Sequence, residues 1–442
     1  MKKRDIKRGT RITLLFAVVV YAVITVVLWV RRPGAPDDHD APAASPGGAR
    51  MAWADTLTNA ASQSAALRGM DASIERFMGQ WSIKGMSLAV MRGDSLLWAK
   101  GYGMADAEAG TRMTPTSIMR IASASKLVTA VAVMKLVEEG KLHLDARVFG
   151  PSGILNDSEI TAAILDPRAE EITVDHLLRH TGGFTLGAGD PMFNTKDIMA
   201  AKHLTAAPDS LELTRIVMGR KLGFAPGRGR KYSNFGYMLL SLVIERVSGR
   251  SYWDYVTQEV LLPAGAPHFR PATNSYASRN AGEVRYYGPD DEKVEEWNGS
   301  GRMVDRVYGG SNVHGLMGAG GWVTSASGLA RLVASIDGDP RLRDIIGPAS
   351  VAALTAYADS AKMARGWSSA DRDGHWIRTG TLSSTHTLID RFPDGECWVL
   401  ITNSGVWRGH HFTRQMTALV EKLRATYSPA LPKRDLWGEG RR

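Results

Sequence analysis

Segments with the pattern typical of β-strands lie near both ends of this chain, with a long helical stretch between them. At the N-terminal side, residues 86–92 and 96–102 are joined by Gly93-Asp94, which is a hairpin signal. Three further strand-like segments lie near the C-terminus, at 376–379, 384–391 and 398–403. Since the strands flank the helical stretch, the sheet must take strands from both ends. We therefore predict an α+β fold, an antiparallel β-sheet flanked by helices with an inserted helical lobe.

Four segments have the apolar periodicity of helices. They span about 70–80, 127–139, 235–247 and 412–427, and glycines at 140 and 249 end the second and third. The single cysteine, Cys397, lies in an apolar segment and is expected to be a buried strand residue. One cysteine forms no internal disulfide, and no Cys/His spacing here resembles a metal site.

The net charge of +9 is concentrated at the N-terminus. Residues 1–11 carry +5 and Arg31-Arg32 adds +2, which leaves about +2 for the rest of the chain. A nucleic-acid partner is therefore not expected.

An uncharged apolar run, residues 12–30, follows the basic arm and is about long enough to cross a bilayer. Basic residues before it predict a cytoplasmic N-terminus and a catalytic domain on the periplasmic or extracytoplasmic side of a bacterial cytoplasmic membrane. A cleaved signal peptide is the alternative, with Ala41-Pro42-Ala43 as its cleavage site. The predicted organisation is a cytoplasmic arm (1–11), a single transmembrane signal anchor (12–30), a flexible linker (31–50), a catalytic domain (51–428) and a polar C-terminal tail (429–442).

Ser123-Ala124-Ser125-Lys126 is the first motif with catalytic chemistry, and no other serine in the chain has a lysine three residues later. A serine hydroxyl needs a neighbouring base to become a good nucleophile. At the start of a helix, residues i and i+3 share a face, so Lys126 is expected beside Ser123. A desolvated lysine has its charged form disfavoured and can act as that base. The alternative is a helix cap followed by a surface lysine.

Tyr232-Ser233-Asn234 precedes the third predicted helix. A phenol beside a lysine can share proton transfer, and an asparagine amide can orient substrate or Lys126. A turn with a core tyrosine is the plainer interpretation.

Arg378-Thr379-Gly380-Thr381 ends a C-terminal strand. Glycine there lets a substrate approach the backbone closely. The amides of Thr381 and Ser123 could then bind the oxyanion of an acyl-transfer intermediate. An edge strand that runs into a turn is the alternative.

The order and character of these three motifs resemble the serine β-lactamase and penicillin-binding-protein superfamily. The likeness is strongest to the class C branch, which includes D-Ala-D-Ala carboxypeptidases and esterases. It covers residues 70–425 and is weakest between 263 and 310, where six acidic residues suggest an exposed insertion. They are Glu283, Asp290, Asp291, Glu292, Glu295 and Glu296.

The resemblance implies an acyl-enzyme on Ser123, with Lys126 and Tyr232 sharing general-base and general-acid roles and Asn234 orienting substrate. It implies no metal and no organic cofactor, and a small-molecule or peptide substrate. The amides of Ser123 and Thr381 would form the oxyanion hole, with Thr379 and Gly380 in the substrate-binding strand.

The sequence departs from the superfamily at Arg378, where Lys or His is usual. Arginine does not give up its proton but forms forked pairs with carboxylates. A substrate bearing a carboxylate is one interpretation, and a structural acid across the sheet is the other. His180 is interpreted as a packed structural residue, because the chain has no G-x-S-x-G elbow.

Function stays open within the class: a D-Ala-D-Ala carboxypeptidase or β-lactamase type of hydrolase, an esterase, or a penicillin-binding sensor without turnover.

Overall fold

A computed structural model describes residues 57–438, apart from 186, 188, 291, 340, 342 and 358–362. The predicted arm, anchor and linker lie outside the described residues, as does Asp291. Among the described residues, no helix combines the length and apolarity needed to cross a membrane.

Twelve strands are present in the described part of the chain. They are β1 (Gly85–Arg92), β2 (Ser95–Asp106), β3 (Thr111–Arg112), β4 (Met119–Arg120), β5 (Arg270–Pro271), β6 (Lys293–Glu295), β7 (Met303–Asp305), β8 (Trp322–Thr324), β9 (Ser369–Ala370), β10 (Trp376–Leu382), β11 (Thr385–Arg391) and β12 (Glu396–Thr402).

The α-helices of the described residues begin and end as follows. They are α1 (Arg68–Gln80), α2 (Ser125–Glu138), α3 (Ser158–Ala163), α4 (Val174–Leu178), α5 (Thr195–Lys202), α6 (Ser210–Met218), α7 (Asn234–Ser248), α8 (Tyr252–Val256), α9 (Ala326–Ala334), α10 (Pro348–Thr355) and α11 (Thr413–Tyr427).

The main sheet has seven strands in the order β3-β2-β1-β12-β11-β10-β9, and neighbouring strands run antiparallel. β1 pairs with β12 in a register that places Met86 opposite Thr402, so strands from the N-terminal and C-terminal parts of the described chain meet at the centre of the sheet. Gly93 turns the β1–β2 hairpin with φ +54°. The predicted antiparallel sheet flanked by helices, with strands from both ends, is confirmed.

Both faces of the sheet are covered, because alternate side chains of each strand enter two different apolar clusters. Trp398 and Leu400 of β12 belong to the cluster formed with α1 and α11. Val399 and Ile401 belong to the cluster that includes α2, α7 and α9. Cys397 is fully buried in β12, as predicted.

The helices between α2 and α8 form a helical lobe beside the sheet, and α2 packs against α7 inside it. The lobe brings the start of α2 and the start of α7 together. These two helix starts and the end of β10 are the three elements that carry the predicted motifs.

The prediction that the acidic insertion is exposed is wrong for two of its acidic residues. Glu283 and Glu296 are each 8% exposed. Glu283 accepts hydrogen bonds from the Tyr286 hydroxyl at 2.7 Å and from the Asn280 amide, and Glu296 is paired with Arg302. These partners satisfy the carboxylates that would otherwise have to stay in water.

The last described residues pack back onto the sheet. Leu431, Leu436 and Trp437 are buried, and the Leu436 amide donates to the carbonyl of Leu96 in β2 at 2.8 Å. In the structure, the segment predicted as a polar tail is thus joined to the folded domain up to residue 438.

Candidate active site

Ser123 lies on a short 3-10 helix, Ala122–Ala124, that leads directly into α2. Ala122 has φ +49°, an uncommon backbone conformation for a residue with a side chain. Ser123 lines the floor of a cleft of about 990 Å³ between the lobe and the sheet. The predicted nucleophile is therefore accessible to a ligand of substantial size.

Lys126 is fully buried in the first turn of α2. Its Nζ donates to the carbonyl of Ala319 at 2.6 Å and to Oδ1 of Asn234 at 2.7 Å, and lies 3.4 Å from Oγ of Ser123. Burial lowers the pKa of Lys126 to about 8, and the Arg378 cation adds to that lowering while Tyr232 opposes it. A surface lysine is excluded by this placement.

The Tyr232 hydroxyl lies 2.8 Å from Oγ of Ser123. Burial of that hydroxyl acts to raise its pKa, but the cations of Lys126 and Arg378 outweigh burial and lower the pKa of Tyr232 to about 8. The rest of the side chain faces the cleft, since 36% of Tyr232 is exposed. Because Lys126 lowers the pKa of Tyr232 and Tyr232 raises the pKa of Lys126, the two groups form a coupled pair.

Asn234 is the first residue of α7, whose N-cap is Ser233. Its Oδ1 faces Lys126, and its Nδ2 donates to Oδ2 of Asp190 at 2.7 Å. Because a carboxylate only accepts hydrogen bonds, Asp190 fixes which end of the amide points to Lys126.

Arg378 lies beneath the nucleophile and is 1% exposed. Its Nε donates to the Ser123 carbonyl at 2.8 Å, and its Nη2 contacts that same oxygen and lies 3.5 Å from the Tyr232 hydroxyl. The structural acid that we considered across the sheet is not among these contacts. Arg378 is also not placed to pair with a substrate carboxylate, because its buried guanidinium donates hydrogen bonds to oxygens of the protein itself.

The end of β10 lies directly against the nucleophile. A Cβ atom added to Gly380 would lie 2.3 Å from the Ile121 carbonyl and 3.1 Å from the Ser123 amide nitrogen. The Thr379 amide donates to Oγ of Ser368, and Oγ1 of Thr381 lies 3.2 Å from Nδ1 of His386. Thr379, Gly380 and Thr381 all line the cleft.

His180 contacts this cluster without reaching Ser123. It is buried, its Nδ1 accepts the Ser233 amide at 3.2 Å, and its ring lies 4.5 Å from that of Tyr232. Burial, followed by the cations of Lys126 and Arg378, lowers its pKa well below the ordinary value. A neutral packed histidine agrees with the structural role that we predicted.

Two groups at the site were not found by sequence reasoning. The Ala319 carbonyl belongs to the Gly318-Ala319-Gly320-Gly321 segment, whose glycines were a usable signal of close backbone approach. Asp190 had no such local signal, since an isolated aspartate in a loop is ordinary.

A family model described as Beta-lactamase matches residues 70–407. The chain belongs to the β-lactamase family, and the resemblance drawn from its motifs is confirmed.

Curated relatives match over part of their length. Protein Flp of Staphylococcus aureus (strain COL) is 30% identical over 214 residues, which are 48% of this chain and 39% of Flp. Esterase EstB of Burkholderia gladioli is 32% identical over 202 residues, which are 44% of this chain and 49% of EstB. The chain therefore spans less than half the length of either relative.

Solved structures share the fold at lower identity. The octameric penicillin-binding protein homologue from Pyrococcus abyssi has a TM-score of 0.60 at 22% identity, over 81% of this chain and 76% of that one. The D-amino acid amidase from Ochrobactrum anthropi SV3 has a TM-score of 0.63 at 18% identity, over 83% of this chain and 99% of that one.

Proposed function

We propose that this protein is a membrane-anchored, exported serine hydrolase that cleaves an amide, lactam or ester through an acyl-enzyme on Ser123. The observation that carries the proposed hydrolase chemistry is the cluster at the cleft in which Lys126 and Tyr232 both approach Oγ of Ser123, at 3.4 and 2.8 Å. General acid–base catalysis requires this proximity together with pKa values near the working pH.

In the first half-reaction, Oγ of Ser123 bonds to the substrate carbonyl carbon while its proton passes to the Tyr232–Lys126 pair. The amides of Ser123 and Thr381 stabilise the oxyanion. The bond to the leaving group then breaks, and the leaving group takes a proton from the same pair. Water repeats the sequence on the acyl-enzyme, releasing the acid and regenerating Ser123.

Arg378 supports this chemistry as a fixed cation. It lowers the pKa values of both Tyr232 and Lys126, and its hydrogen bonds to the Ser123 carbonyl hold the nucleophile segment in place. It does not transfer protons, because arginine stays protonated.

Esterase activity is the second candidate, and the 32% identity to a protein named esterase EstB favours it. A D-Ala-D-Ala carboxypeptidase or β-lactamase type of reaction is consistent with the family that the chain belongs to. These reactions share the acylation step and differ in the leaving group.

The test is to follow the intact mass of the full-length protein in detergent after adding a penicillin, and separately a neutral p-nitrophenyl ester. Ser123→Ala is expected to abolish every adduct. Ser383→Ala is the matched control, because Ser383 is an exposed serine in the β10–β11 turn. A stable penicillin adduct indicates a penicillin-binding peptidase or sensor. A transient adduct, with the drug consumed, indicates a β-lactamase. Turnover of the ester without any penicillin adduct indicates an esterase. Acylation that persists in Ser123→Ala would refute the assignment of the nucleophile.

For the location of the domain, we propose that residues 12–30 anchor it to the cytoplasmic membrane and that residues 51–428 lie outside the cytoplasm. The basic arm and uncharged apolar run support this orientation. A C-terminal reporter that is active only after export tests it, with a fusion lacking residues 1–30 as control. Equal reporter activity in the two fusions would contradict the anchor.

A further inference from the structure

Cations line the cleft over Ser123 on both of its walls. Arg230 and Lys231 lie on the lobe wall, directly before Tyr232. Arg414, near the start of α11, lies on the sheet wall beside His410 and His411. All five side chains are exposed.

The three cations, Arg230, Lys231 and Arg414, have no ion-pair partner in the described part of the chain. Several exposed arginines elsewhere are paired with acids, such as Arg246 with Asp157 at 2.9 Å. The charges at the cleft are therefore available to a ligand.

The acid that lines the cleft, Asp190, forms no ion pair with these three cations in the described part of the chain. Asp190 Oδ2 accepts from Asn234 at 2.7 Å, and Oδ1 accepts the Met192 amide at 3.0 Å. Arg378 is also unavailable, because it is buried and donates to the Ser123 carbonyl. Recognition of an anionic substrate group therefore falls to the cations at the rim.

We propose that the physiological substrate carries an anionic group on each side of the scissile carbonyl, with Arg230 and Lys231 binding one group and Arg414 the other. This rests on the proposed function and names its substrate class. Ser123 lies between the two walls, so a substrate acylating it extends toward both. A cleft of about 990 Å³ accommodates a ligand of short-peptide size. Unpaired cations at the mouth also attract anions before contact.

The test uses four esters of one alanine-based acyl donor. The acyl end is N-succinyl or its neutral isostere N-succinamoyl, and the leaving group is glycolate or glycolamide. The dianionic ester is expected to have the highest kcat/KM, with about a fivefold gain for each anion, the upper range for a partly exposed ion pair. The preference is expected to weaken as salt is added.

Variants assign each anion to a wall. Arg230→Gln/Lys231→Gln is expected to remove the preference at one end of the substrate, and Arg414→Gln at the other. The charge-preserving variants Arg230→Lys/Lys231→Arg and Arg414→Lys are expected to restore it. Lys422→Gln is the matched control, because Lys422 is exposed on the same helix as Arg414 and does not line the cleft.

Labelling of Ser123 by an uncharged fluorophosphonate, followed by mass, reports the proposed function separately. If Ser123 is labelled but kcat/KM is equal for all four esters, the dianionic assignment is overturned and the proposed function stands. The same holds if Ser123 is labelled and none of the four esters is turned over. Charge-neutralising variants that lower kcat/KM equally for all four esters overturn the dianionic assignment as well. Absence of labelling at Ser123 instead refutes the proposed function.

Discussion

At the scale of single residues, the site depends on two fixed charges of opposite sign beside the Tyr232–Lys126 pair. Asp190 favours the charged form of Lys126 and so raises its pKa. Arg378 lowers the pKa values of both Lys126 and Tyr232. If the deprotonated pair accepts the proton of Ser123, activity rises with pH as the pH approaches 8, and removing either charge moves that rise in a direction fixed by the sign of the charge.

Asp190→Asn is expected to move the acidic limb of kcat/KM to lower pH, because Lys126 then loses its proton more easily. The rate at the plateau is expected to fall at least roughly tenfold, since a charge-assisted hydrogen bond to Asn234 contributes about 1.5–3 kcal/mol. The measurement is a pH profile with a neutral ester. Asp373→Asn, at an exposed acid outside the cleft, is the control. A limb that moves to higher pH would contradict this role.

Arg378→Gln is expected to move the same limb to higher pH, because both pKa values rise once the cation is gone. Arg378→Lys keeps a cation and is expected to leave the limb near its original position. The position of the limb does not depend on how much protein folds, so partial destabilisation leaves the comparison valid. An unchanged limb in Arg378→Gln would show that this cation does not tune the pair.

At the scale of elements, the catalytic arrangement depends on how closely β10 packs against the 3-10 helix of Ser123. Gly380→Ala places a methyl group 2.3 Å from the Ile121 carbonyl, so the strand or the nucleophile must move. A small misplacement of reacting groups costs about a hundredfold in rate, and we expect a loss of that order in acylation. Gly79→Ala is the control, because a Cβ there meets no atom within 4 Å. Acylation rates that match between the two variants would refute the close-approach argument.

The sequence predicted those elements whose ends carry local signals. The helix expected at 235–247 is α7, Asn234–Ser248, because Ser233 caps its start and Gly249 ends it with φ +70°. The Ser123–Lys126 proximity was equally local, since it follows from helical spacing. Asp190 and the Ala319 carbonyl were missed because their partners at the site lie 44 and 193 residues away along the chain. No local pattern specifies such a contact.

At the scale of the whole molecule, strands from the N-terminal and C-terminal parts of the described chain hold the sheet together. β1 pairs with both β2 and β12, so the centre of the sheet joins segments more than 300 residues apart. The sequence argument failed at Glu283 and Glu296 for a different reason, because their carboxylates are satisfied by partners nearby in the sequence, Tyr286 three residues and Arg302 six residues away. Charge density along a segment predicts exposure only where no such partner is available.

The C-terminal segment extends this dependence beyond α11. Ending the chain after residue 428 removes the buried Leu431, Leu436 and Trp437, each of which contributes about 1.5–3 kcal/mol by burial. We expect the free energy of unfolding to fall by at least about 3 kcal/mol, and Trp437→Ala alone to cost about 3 kcal/mol. Leu165→Ala, at a side chain 57% exposed, is the control and should change stability by less than about 0.5 kcal/mol.

Because the segment after residue 428 contacts β2 and does not line the cleft, kcat/KM of the truncated chain for a neutral ester should be retained below the melting range. Urea unfolding of the three variants beside the wild type decides the matter: equal midpoints for the truncated and intact chains would mean that residues 429–438 pack on the domain without stabilising it.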